Sequence, residues 1–410
     1  MAEYVPRLAD SLIAGLLRQA PAVMLTGPRA SGKTTTATRH AIDTVRLDRA
    51  AEAAAFIADP DAALSARRTP LLIDEWQVVP EVLGAIKRSV DADPGPGRYV
   101  ITGSARSDLD SPTWPGTGRV VRLPVWPMSQ RELTYTTSSA GVLDRVLTDG
   151  LDSLALPPQV PDLPGYLDLA VAGGLPQAVL TRDPIYRRRW LTSYLEQLVT
   201  RDAESLDGGR DPVRLRRYVD GLAENLSGLA ADVTLAETAG LNIRTAAAYD
   251  RLLQALGVLD IVPGWSSNRL KRLTQRGKRY LADTGLAAAA LRVDADDILR
   301  DGNLIGRFLD AYVAAQLRPE VAVSPHTPSL YHLRDRDGHE IDLLLDYGRK
   351  GQLALEIKAT AAPRTADATH LRWLIERQPS VRAGIVLHTG PSLFQLSDSI
   401  IAAPIAILWS

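Results

Sequence analysis

Cysteine is absent from this 410-residue chain, so disulfides and thiol chemistry are excluded and a reducing compartment, the cytoplasm, is expected. Lysine is scarce as well. Only positions 33, 87, 271, 278, 350 and 358 carry it among 47 basic residues. Charge of one sign is also lacking: the formal net charge of −1 argues against a broadly basic nucleic-acid binder and confines any such contact to a local patch. No apolar run approaches the ~18 residues of a membrane span. The first residues, with Glu3 and Asp10, lack the apolar core of a signal peptide. No membrane partner is therefore expected. What remains is an ordinary globular composition, 45% hydrophobic and 23% charged, in a chain long enough for several cores.

The most specific stretch is Gly27-Pro28-Arg29-Ala30-Ser31-Gly32-Lys33-Thr34, which satisfies G-x-x-x-x-G-K-[ST] at every fixed position. Ala22–Leu25 before it reads as a buried strand, and the residues from Thr35 onward as a helix. In that setting backbone N–H groups close around phosphate oxygens, and residues 27–35 become the expected nucleotide-binding segment. Lys33 is expected to reach the β- and γ-phosphates of ATP, and the Thr34 hydroxyl to take a position on Mg²⁺.

Leu71-Leu72-Ile73-Asp74-Glu75 follows about forty residues on as a strand ending in acids. Asp74 is expected to hold Mg²⁺ and Glu75 to orient or deprotonate the attacking water. After a further strand at Tyr99–Thr102, either Thr102 or Ser104 could touch the γ-phosphate or the water. Arg119 is the candidate arginine for sensing the γ-phosphate, in cis or from a neighbour in a homo-oligomer. The proline-rich stretch beyond Pro124 reads as a lid or linker.

Leu235–Ala239, a turn at Gly240–Asn242 and Arg244–Leu256 have helix-turn-helix spacing. No acid falls between Asp260 and Asp283, whereas Arg269, Lys271, Arg272, Arg276, Lys278 and Arg279 do. This describes a winged helix whose basic wing either contacts the phosphate backbone of DNA or RNA or packs within the chain. Near the C-terminus, Glu340–Leu345 and Leu353–Lys358 read as a hairpin. Residues two apart share a strand face, so Glu356 and Lys358 point together and Asp342 can join them. Asp342 and Glu356 are expected to bind a divalent metal, with Lys358 stabilising charge on a scissile phosphate and Asp310 as a further acid.

These motifs, with Gly173-Gly174-Leu175-Pro176, Arg201-Asp202, Lys271-Arg272-Leu273 and Tyr280–Leu286, resemble the prokaryotic AAA-type ATP-binding proteins that carry a C-terminal domain of unknown function related to the restriction-endonuclease fold. The resemblance implies an α/β fold: an AAA-type ATPase domain at 1–135, a helical lid at 136–205, a winged helix at 206–294 and a PD-(D/E)xK nuclease-like domain at 295–410. It implies ATP hydrolysis with Mg²⁺, its nucleotide state coupled to the nuclease-like end. The alternative is an ATP-dependent switch whose nuclease-like domain binds a partner without cleaving. Where the family's helix before the final hairpin usually offers glutamate, this chain has Asp310 and Gln316.

Overall fold

The computed structural model describes residues 3–103, 117–137, 140–202, 211–268, 272 and 275–410. The chain forms two compact units, one of residues 1–127 with 255–258, the other of residues 128–254 with 259–410. The segments 136–205, 206–294 and 295–410, expected as three domains, fall within the second unit apart from 255–258.

In the first unit, helix α1 (Ala9–Leu17) precedes β1 (Ala22–Thr26), and α2 (Lys33–Thr38) follows the glycine-rich loop. Next come β2 (Asp43–Arg46), α3 (Ala50–Ala58), α4 (Pro60–Ser65), β3 (Leu71–Asp74), α5 (Val82–Ala92), β4 (Tyr99–Thr102) and β5 (Val120–Pro124). The break between α3 and α4 falls at Asp59, whose carboxylate accepts from the Ala62 amide and caps α4 while Pro60 occupies its first turn. The strands form one parallel sheet ordered β2-β3-β4-β1-β5. Ala22, Met24, Leu71, Ile73, Tyr99 and Ile101 alternate onto one face and pack with Phe56, Trp76, Val82 and Ile86. Val23, Leu25, Leu72 and Val100 are equally buried. Burial on both faces explains why these strands read as continuous apolar runs.

In the second unit, the helices Asp232–Thr238 and Ile243–Ala255 lead to an antiparallel pair, β6 (Leu259–Val262) with β7 (Lys278–Leu281). The helix Gly302–Val323 then precedes a six-stranded mixed sheet ordered β12-β13-β11-β10-β9-β8. Its strands are β8 (Ser329–Arg334), β9 (Glu340–Asp346), β10 (Gln352–Lys358), β11 (Val381–His388), β12 (Phe394–Ser397) and β13 (Ile400–Pro404). β8, β9 and β10 form an antiparallel meander, while β10, β11 and β13 run parallel. Among the described residues, no helix is long and apolar enough to cross a membrane.

Two motifs distant in sequence meet inside this unit. The buried carboxylate of Asp283 accepts from the amides of Gly174 (2.7 Å), Leu175 (2.8 Å) and Leu286 (3.2 Å), the last capping the helix Thr284–Leu291. Gly173 has φ +68°, and a Cβ there would stand 2.2 Å from Asp283 Oδ1, so only glycine fits. Gly-Gly-Leu-Pro and Asp-Thr-Gly-Leu are thus two halves of one hydrogen-bonded joint.

Candidate functional site

The loop between β1 and α2 is shaped by backbone that side chains would obstruct. Gly27 sits at φ +135°, and a Cβ there would come within 2.3 Å of the Val125 carbonyl. Ala30 and Gly32 also take positive φ. Arg7 braces the loop from α1's side, its guanidinium donating to the carbonyls of Ser31 (2.8 Å) and Trp126 (2.7 Å), a role the sequence motif does not signal. α2 is only six residues long, so loop amides and Lys33 carry more of any phosphate contact than a helix dipole does.

Lys33 is buried, and its ammonium donates to the carbonyls of Gly27 (3.0 Å) and Pro28 (2.6 Å). Burial pushes its pKa down to about 8; Glu75 and Asp74 oppose the shift and Arg29 adds to it. Arg29 and Thr35 lie exposed at the loop. Ser31 Oγ is buried with no hydrogen-bond partner, a polar atom the loop itself leaves unsatisfied.

Parallel pairing brings the ends of β1, β3 and β4 to one sheet edge. Thr34 Oγ1 donates to Asp74 Oδ1 (2.8 Å), and Thr102 Oγ1 donates to the same oxygen. Thr102, named with Ser104 as an alternative for the γ-phosphate or the water, is buried with its hydroxyl engaged by Asp74. Ser104 lies outside the described residues. Thr34 and Asp74 fit Mg²⁺, a hard cation bound through one or two protein oxygens together with phosphate. Glu75 follows β3 in the left-handed region at φ +56°, and its carboxylate accepts from Gln77 Nε2. Gln77 is a neighbour that sequence reasoning missed.

Arg119 requires a correction. Val120 pairs with Ala22 and Pro124 with Thr26, so Arg119 sits just before β5, about 16 Å along the strands from the phosphate-loop end. Its guanidinium is held by Asp91 at 2.5 Å. In cis it stands at the wrong edge of the sheet to sense a γ-phosphate bound at the loop.

The basic wing is corrected as well. Lys278 and Arg279 are buried on β7, and alternation sends them to opposite sides. Arg279 pairs with Asp250 (2.9 Å) and Asp232 (2.6 Å). Arg272 pairs with Asp346 (3.2 Å) and stacks over Trp265 and Tyr331. Arg269 and Lys271 lie outside the described residues. Packing within the chain, the second of the two readings, accounts for Arg272, Lys278 and Arg279, three of the four described basic residues, while Arg276 is exposed.

The C-terminal constellation does assemble. Leu355 pairs with Leu343, which sets Glu356 opposite Asp342, and Lys358 Nζ lies 3.1 Å from Glu356 Oε2. These residues line a cavity of about 500 Å³ together with Asp310, Glu340, Arg334 and His370. Burial and the neighbouring Asp342 push the Glu356 carboxyl up to about 8 against the pull of Lys358, and its Oε1 has no partner. Between the acids stands Lys278, its ammonium 3.0 Å from Asp310, 3.1 Å from Asp342 and 3.7 Å from Glu340. Burial works against that charge, yet the surrounding carboxylates hold the Lys278 pKa above the ordinary lysine value. The divalent metal expected on Asp342 and Glu356 does not fit this arrangement: the Lys278 ammonium already occupies the place beside Asp342 and Asp310. Among the described residues, the acids and histidine with ligand atoms close enough for an ion are Asp335, Asp337 and His339, on the turn between β8 and β9.

Residues 19–134 match a family model described as an AAA domain. Residues 164–297 and 305–408 match two domains of unknown function, DUF8612 and DUF4143. Uncharacterized proteins of Mycobacterium bovis and Mycobacterium tuberculosis are each 29% identical over 402 residues, which covers 95% of this chain and 81% of theirs. Among solved structures, the Walker-type ATPase of Pyrococcus abyssi aligns over 71% of this chain and 96% of its own, at 14% identity and a TM-score of 0.44. AMPPCP-bound DnaA from Aquifex aeolicus aligns over 62% and 89%, at 14% identity and a TM-score of 0.26. In its first unit the chain is therefore similar to AAA-type P-loop domains, which supports nucleotide binding there, and beyond that unit it is similar to domains without a described function.

Proposed function

We propose that the protein binds ATP with Mg²⁺ at the loop of residues 27–35 and hydrolyses it. The observation that carries this reading is the Thr34–Asp74 hydrogen bond at the end of a loop whose Gly27 admits no side chain. Loop amides and the Lys33 ammonium hold the phosphates. Mg²⁺, when bound, screens phosphate charge and fixes the phosphate oxygens beside Thr34 and Asp74. Thr102 holds Asp74 in its rotamer, and Glu75 orients water and accepts its proton. The test is phosphate release from ATP by the purified protein. Release that depends on Mg²⁺ and disappears with EDTA supports the reading, and no release under any condition removes it.

Lys33→Ala is expected to weaken ATP binding at least tenfold, roughly 1.4 kcal/mol, because the site has no other buried ammonium among its described residues. Unchanged affinity by calorimetry would dismiss the phosphate-loop assignment.

A second expectation concerns protons. The free Lys33 pKa is about 8, and phosphate charge raises it on binding. Binding near pH 8 should then take up about half a proton, seen as a dependence of the calorimetric heat on the buffer's ionisation enthalpy. The sign follows from a bound pKa above the free one. The contribution of Lys33 is fully present below about pH 8 and lost as pH rises from there towards the bound value. Heats independent of buffer at pH 8 would show that Lys33 keeps its proton throughout.

For the second unit, the geometry favours the reading without cleavage, a nuclease-like domain that binds a partner, because Lys278 stands among the acids a metal would need.

A further inference from the structure

We propose that the acidic centre of the C-terminal sheet carries its own cation in Lys278 and takes no divalent metal. The oxygens of Asp310 and Asp342 are already occupied by donors from the chain itself. Lys278 comes from β7, outside the sheet that bears Asp342 and Glu356, and its side chain is only 3% exposed. Tyr280, two residues on and therefore on the same strand face, points to the same place.

The two oxygens of Asp310 each receive a donor, Lys278 Nζ at 3.0 Å and Tyr280 OH at 3.0 Å. Those of Asp342 are equally committed, to Lys278 Nζ at 3.1 Å and to the Ile357 amide at 2.9 Å. Glu356 gives one oxygen to Lys358. Two buried carboxylates brought together without a cation would repel each other, and Lys278 removes that repulsion from within the chain. A hard divalent ion needs several oxygen ligands at about 2.0–2.6 Å. Glu356 Oε1 alone is unengaged, so an ion bound through Asp310 or Asp342 would have to displace the buried ammonium that neutralises them. The centre is therefore a fixed ion cluster, and water activated by a divalent metal is not its chemistry.

The experiment is a Mn²⁺ titration of the nucleotide-free, full-length protein, followed by the electron paramagnetic resonance of free Mn²⁺. Wild type and Asp342→Asn should bind Mn²⁺ alike, since ions at Thr34–Asp74 or Asp335–Asp337–His339 are common to both. Lys278→Ala should gain a site, with affinity raised about tenfold or more over wild type, and Lys278→Ala/Asp342→Asn should lose it again. Wild-type binding that Asp342→Asn abolishes overturns the proposal, whether or not the Lys278 variant folds. So does a folded Lys278→Ala protein that gains no site. Should Lys278→Ala fail to fold without metal, recovery of its circular dichroism on adding Mn²⁺ supports the proposal, and failure to recover counts against it.

Discussion

Glu75→Gln protein should bind ATP as tightly as wild type and turn it over roughly 10²-fold or more slowly. Glutamine keeps the size and hydrogen-bonding reach of glutamate but cannot accept the proton of an attacking water. The position is suited to the task because Glu75 leaves β3 at the sheet edge where the phosphate loop also emerges. Its left-handed backbone, uncommon outside glycine, turns the chain sharply after Asp74. Gln77 holds the carboxylate by its side-chain amide, so the acid is restrained. Single-turnover kinetics with saturating ATP separates this loss from any change in affinity. A Glu75→Gln rate equal to wild type would assign the water to another residue.

The largest stability effect is expected at Asp283. Asp283→Ala deprives the buried amides of Gly174 and Leu175 of their acceptor at once and uncaps the helix Thr284–Leu291, whose Leu286 amide keeps only the Asp283 carbonyl. An unsatisfied buried donor costs about 1–3 kcal/mol, so the total should reach roughly 3–5 kcal/mol, allowing for partial relaxation. Burial raises the Asp283 pKa while the backbone donors oppose it, so the carboxylate is held by these amides without a cationic partner among them. Asp283→Asn, which keeps one acceptor oxygen, should lose less than Asp283→Ala. The measurement is the denaturant midpoint of the full chain, followed by circular dichroism. An Asp283→Ala midpoint indistinguishable from wild type would mean that the amides find other acceptors and that the joint contributes little.

Contiguous signals were legible before any fold was known. The phosphate loop is eight consecutive residues, and strand β3 announces itself by three apolar residues before Asp74 and Glu75. The hairpin of β9 and β10 was equally readable, since alternation places Glu356 with Lys358 and antiparallel return brings Asp342 beside them. Arg119 shows where such reading stops. Its residue type suits a phosphate sensor, but the pairing of Val120 with Ala22 decides which end of the sheet it occupies. The basic stretch after Asp260 shows the same limit, because a run of positive residues does not say which of them face acids inside the unit.

The sequence by itself determined the nucleotide loop, its acidic strand and the α/β character of both ends, because each depends on spacing within one element or between neighbours. Only the tertiary structure decided the meaning of Lys278 and Asp283. Lys278 meets Asp310 across 32 residues and Asp342 across 64, and Asp283 meets Gly174 across 109. No local pattern records such meetings. Strand alternation fixes the face on which Lys278 lies, but packing selects the acids it meets there, and that packing sets a buried ion cluster around Asp310 and Asp342.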